Sequence, residues 1–214
     1  MTINKIKMYK QTMPFSCGAA SIMMVLGSLG VFGDLTEEME HDIYDQLVEE
    51  GSVGVSPSAL VRFLESKGCS ATISQYVKSS VRWGQKISYW IAKVLSFFFK
   101  TMNICITASA DALCIAGISK EQRDYNNKEL SAQELFDKIA SAIDNGAYVP
   151  VIIVIYDSKK RIQGHHWMVG YGHDGDKVLF ACPVFGRLEC TAEELYDKMN
   201  SPMYGQEFVT VYDK

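Results

Sequence analysis

Apolar residues crowd one short stretch near the start of the chain. Ala19, Ala20, Ile22, Met23, Val25 and Leu26 follow Pro14 and Gly18 and predict a helix from about Cys17 to Leu29. The run is too continuous for one exposed face, so this helix should be central and buried. Residues 5–10 just before it read as a short strand leading to Gln11. Ser56-Pro57 opens another helix, with Leu60, Val61, Phe63 and Leu64 at helical spacing and Gly68 at its end. Residues 70–77 read as a strand.

The second half of the chain has a different pattern. Ser131-Ala-Gln-Glu134 is a capping-box signature for a helix to about Ile143, ended by Asn145-Gly146. Tyr148–Tyr156 is a β-branched apolar run and predicts a central strand. His166–Tyr171 and Lys177–Ala181 are two further strands around the turn Asp174-Gly175-Asp176. Thr191–Met199 reads as a helix and Phe208–Tyr212 as a closing strand. Helices come first and a mostly antiparallel sheet with added helices follows, which is the α+β class.

Three segments break the pattern. Residues 34–50 carry eight acids and no Lys or Arg, with Thr36 as an N-cap. They read as a helix whose acidic face, Glu40 included, is solvated. Residues 78–100 carry Lys78, Arg82, Lys86, Lys93 and Lys100 with no acid, and Trp83, Ile87, Trp90, Ile91, Val94 and Phe98 on the other face. This is a basic amphipathic helix, either packed on the domain or docked on an anionic membrane or partner. Its longest charge-free piece is far too short to span a bilayer. Residues 103–118 read as an apolar helix or buried hairpin, and 119–130 as a loop.

Composition narrows the class without naming a function. The chain has 214 residues, long enough to bury a real core as one domain, 1–214. Hydrophobic content of 48% and charged content of 21% are ordinary for a globular chain. A net charge of −4 argues against nucleic-acid binding. The six cysteines are scattered without a CxxC pair, so neither a disulfide scaffold nor a zinc site is expected. A reducing compartment fits, and with no signal-peptide pattern a cytoplasmic location is the expectation. His41 and His173 read as surface residues, no cofactor is implied, and nothing in the sequence sets the oligomeric state.

Two separated motifs carry the chemistry. Gln11-Thr-Met-Pro-Phe-Ser-Cys17-Gly18 puts a thiol at a helix start, where partial positive charge favours thiolate. Gln11, six residues earlier, can donate to an oxyanion. Gly164-His165-His166-Trp-Met-Val-Gly-Tyr-Gly172 puts histidines on a strand, able to take the thiol proton and return it to a leaving group. Alternation along the strand sends His165 and His166 to opposite faces.

In order and spacing these motifs resemble the papain-like cysteine peptidases, most closely their C39-like branch, whose transporter-attached members cut leader peptides after Gly-Gly. The resemblance leaves residues 76–130 unmatched, an atypical insertion. It implies a nucleophile Cys17, an oxyanion hole of Gln11 and the Cys17 N–H, and a base at His166, six before Gly172; a one-residue slip would select His165 instead. It also implies a peptide or protein substrate and no cofactor.

The third position departs from the family. An Asp or Asn is expected sixteen residues after the histidine, before a proline, and Cys182-Pro183 stands there. A thiol is a weak acceptor and a weak orienter of imidazole. Asp174 or Glu189 taking the role, a slower Cys-His dyad, and loss of catalysis with binding retained all remain open. The fold would equally serve acyl transfer or glutamine deamidation.

Overall fold

In a computed structural model, residues 1–48, 54–76, 128–200 and 205–213 are described, together with the backbone of 123–126. The expected basic helix of 78–100, the apolar segment 103–118 and most of the 76–130 insertion lie outside the described residues.

The central helix forms where the apolar run predicts it. This helix, α1 (Cys17–Ser28), is buried along almost its whole length. Around it pack α2 (Glu37–Leu47), capped by the Thr36 hydroxyl, and α3 (Pro57–Ser66), capped by Ser56 with Pro57 in the first turn. α4 (Ala132–Asp144) carries the expected capping box of Ser131 and Glu134. α5 (Ala192–Met199) carries a second one, formed by Thr191 and Glu194.

The strands are β1 (Thr2–Ile3), β2 (Ser70–Tyr76), β3 (Arg123–Asn126), β4 (Val149–Tyr156), β5 (Ile162–Asp174), β6 (Lys177–Cys182), β7 (Gly186–Thr191) and β8 (Gln206–Tyr212). They form one sheet in the order β3-β2-β8-β4-β5-β6-β7, with β1 paired to β5. Only the β2–β3 pair is parallel among the described strands. The architecture is α+β with a mostly antiparallel sheet, as the sequence order predicts. Tyr148–Tyr156 is central as expected, since β4 lies between β8 and β5.

Strand alternation divides the core into two layers. Trp167, Val169 and Tyr171 of β5 pack with α1, α2 and α3. Met168, with Phe180 and Cys182 of β6, packs with α4 and α5. A sheet buried on both faces explains why its inner strands read as nearly unbroken apolar runs.

Four expectations need correction. Residues 5–10 form no strand; the paired residues are Thr2 and Ile3. The alternation Lys5-Ile6-Lys7-Met8 looks β-like, but this segment is held by single bonds, such as Lys7 N–H to Ser28 Oγ at 2.7 Å. Residues 123–126, read as loop, form β3 on the sheet edge. β7 was not anticipated, because Gly186–Thr191 is a polar edge segment. His173 is not a free surface residue: its Nε2 lies 2.9 Å from Asp144 Oδ1.

Candidate active site

The first residue of α1 is Cys17, and close packing brings its end of the helix against β5. A Cβ on Gly18 would sit 2.6 Å from Val55 Cβ and 3.2 Å from Trp167 Cδ1, so only glycine permits this approach. Trp167 Nε1 donates to the Val55 carbonyl at 3.0 Å, which locks the same corner. The Cys17 thiol meets the strand at the Trp167 backbone N–H, the peptide that joins His166 to Trp167.

His166 is 6% exposed, and its Nε2 lies 3.2 Å from Cys182 Sγ. Cys182, 2% exposed, ends β6 and also accepts the Phe185 N–H at 3.4 Å. The departure from the family pattern therefore falls where an orienting partner of His166 stands. Glu189 does not take that place, since its carboxylate holds Lys177 Nζ at 3.1 Å. Asp174 lies at the β5–β6 turn, paired with Lys177. His166 pairs across the ladder with Ile153 and His165 with Val154, so the two imidazoles leave the strand on opposite faces.

Gln11 is tied to the same corner from the other side. Its backbone N–H donates to the Pro183 carbonyl at 3.0 Å, joining the loop before α1 to the loop after Cys182. Its Nε2 donates to Met13 O at 2.9 Å, while Oε1 is buried and unpartnered among the described residues. An amide nitrogen carries two protons, and Met13 uses one of them.

The electrostatics overturn one expectation. A helix start favours thiolate, but here burial pushes the Cys17 thiol up, and the backbone N–H bonds that oppose it are weaker. Cys17 is only 9% exposed. Burial also lowers His166. Both shifts favour the neutral forms, thiol and imidazole, over a thiolate–imidazolium pair. Alkylation runs through thiolate. Iodoacetamide should therefore modify Cys17 slowly at pH 7, with a rate still climbing above pH 9.0, the ordinary thiol value. A pH-rate profile read by peptide mapping checks this; a plateau already reached at pH 6–7 would restore the ion pair.

Glu40 is the residue the sequence reading misplaced. It is not on a solvated face but fully buried. It accepts from Tyr9 Oη at 2.8 Å, Thr12 N at 3.0 Å, Thr12 Oγ1 at 2.8 Å, and Ser16 Oγ. Burial raises its carboxyl, but these hydrogen bonds outweigh burial and the net shift is downward, so it is charged at neutral pH. The signal was present: Glu40, Ile43 and Leu47 share one helical face, and all three are buried.

Several solved structures resemble this chain in fold. One is a C39-like peptidase from Bacillus anthracis, 11% identical, with TM-score 0.52, covering 100% of this chain and 98% of that one. The fold is C39-like. A double glycine motif protease from an AMS/PCAT transporter, in complex with its leader peptide, gives 12% identity, TM-score 0.49 and coverage of 100% and 95%. The peptidase domain of Streptococcus ComA, a bifunctional ABC transporter involved in quorum sensing, gives 10%, 0.48 and 99% of both chains. No family model matches the sequence, and neither does any curated protein. The C39-like fold is thus visible in structure while sequence identity has fallen far below what carries activity across. No helix among the described residues is long and apolar enough to cross a membrane.

Proposed function

We propose that the chain is a cysteine hydrolase that cleaves a peptide or amide bond through a thioester at Cys17. The observation that supports this reading is a buried thiol at the first residue of α1 that meets β5 at the Trp167 N–H, the residue directly after His166. In the reaction, Cys17 Sγ bonds to the substrate carbonyl carbon as its proton passes to His166. With Nε2 engaged by Cys182, Nδ1 is the nitrogen for that transfer. The resting imidazole bonds Cys182 rather than Cys17, so the thiol–imidazole contact tightens when substrate binds. The second Gln11 amide proton and the Cys17 N–H stabilise the oxyanion. The C–N bond then breaks as His166 returns the proton to the departing nitrogen. Water, deprotonated by the same imidazole, cleaves the thioester and regenerates the thiol. Acyl transfer or glutamine deamidation would share every step up to the thioester.

A peptide or protein is the substrate class this reading implies. The test is acylation by p-nitrophenyl acetate, with the adduct mapped by mass spectrometry. An acetyl group on Cys17 that turns over is expected, and wild-type protein left unmodified at Cys17 would sink the reading.

A second reading, a binding module with weakened catalysis, is favoured by the Cys182 thiol beside the imidazole. Cys182→Asp separates the two. The new carboxylate would accept from His166 and from the Phe185 N–H, both of which now reach Sγ. An acylation rate about 10-fold higher is expected, since a carboxylate fixes the tautomer and stabilises imidazolium. An unchanged rate in the folded variant would show that Cys182 does not orient the base.

A further inference from the structure

The loop that carries Gln11 into the site is strained. Phe15 has φ +66°, in the left-handed region that bulky side chains avoid, and the residue is 63% exposed, so little packing of its own holds it there. The restraint comes from both flanks. On one side both Glu40 oxygens accept the Thr12 N–H, and Oε2 accepts the Thr12 hydroxyl. On the other side Oε1 accepts the Ser16 hydroxyl. Tyr9 adds its phenol two residues before Gln11. Thr12 directly follows Gln11, and Ser16 directly precedes Cys17.

We propose that Glu40 is a positioning residue: it clamps the Tyr9–Ser16 segment so that the Gln11 amide and the Cys17 N–H point at one oxyanion position. This rests on the hydrolase reading above and adds a residue to it. A carboxylate suits the task because it only accepts, and every group aimed at it is a donor. Burial with no cation partner among the described residues is tolerable for it because four separate donors satisfy it. Glu40 comes no nearer to the reaction than the loop it holds, so its loss should leave the thiol intact and blur the oxyanion donors.

Two reagents separate these effects. Acylation by p-nitrophenyl acetate passes through an oxyanion, and alkylation by iodoacetamide does not. In Glu40→Gln the amide N–H2 would face hydroxyl and N–H donors and break the clamp. Acylation of Cys17 should fall by about 10-fold or more, the scale of a misplaced oxyanion donor, while alkylation changes by less than about 2-fold. Thr12→Val removes one hydroxyl from an exposed residue and keeps the carboxylate. It should lower acylation in the same selective way by a smaller factor, and it decides the matter should Glu40→Gln not fold. Equal losses with both reagents, or no loss of acylation, would overturn the proposal while leaving the hydrolase reading in place. Absence of acylation in the wild type would instead remove that reading, and the positioning role with it.

Discussion

Cys17→Ala should abolish acylation by p-nitrophenyl acetate at the site, a drop of about 10³-fold or more, because it removes the nucleophile that forms the thioester. The other three cysteines among the described residues, Cys69, Cys182 and Cys190, are buried free thiols, which slows their competing reaction. The fold should survive. The substitution deletes one sulfur atom at a helix start whose own packing rests on Gly18, Val55 and Trp167. A loss of about 1 kcal/mol fits so small a cavity. For a chain of this size that is about 2–4 °C in Tm. Acylation by intact mass and a thermal melt, run on the same preparation, check both halves. Turnover retained by Cys17→Ala would end the assignment, and a collapsed melt would mean that the thiol is needed for packing.

The sequence revealed those parts of the fold whose signals are local. Ser56-Pro57 and the Ser131–Glu134 box set the starts of α3 and α4 because capping is decided within four residues. The apolar run of α1 announced its burial. What stayed hidden depends on partners distant in sequence. β3 exists because it pairs with β2, some fifty residues earlier, and its own composition says little. β7 alternates weakly at an edge, and its pairing with β6 supplies the order. At the site, the motifs brought Gln11, Cys17, His166 and Cys182 to attention, and the structure places His166 against Cys182. The upward shift of the thiol was not legible, because its cause is burial in the folded chain, which the Trp167 N–H opposes only in part. Glu40 was overlooked for a related reason: its spacing with Ile43 and Leu47 marks the inward face, but the donors that make a buried carboxylate tolerable lie on Tyr9, Thr12 and Ser16, far back along the chain.

His166→Ala should cost about 10²–10⁴-fold in acylation at pH 7, the usual weight of a general base. The burden on this base is heavy here. Burial holds Cys17 as a thiol, so little thiolate exists without a proton acceptor. His165→Ala should change the rate by much less. His165 stands opposite Val154 on the other strand face, whereas His166 Nε2 is the nitrogen that meets Cys182. The rival outcome has a structural basis of its own, since His165 shares its face with Trp167, which packs in the α1 layer. Measuring both variants against a pH series distinguishes the cases. Loss of the base should make acylation depend on bulk hydroxide, so the remaining rate of His166→Ala should climb steadily through pH 9. Burial lowers His166 below its ordinary value, so the wild-type rate should hold up to a lower pH than a free imidazole would allow. If His165→Ala is the inactive variant and His166→Ala keeps its rate, the base lies on the α1 face and the Cys182 contact is structural.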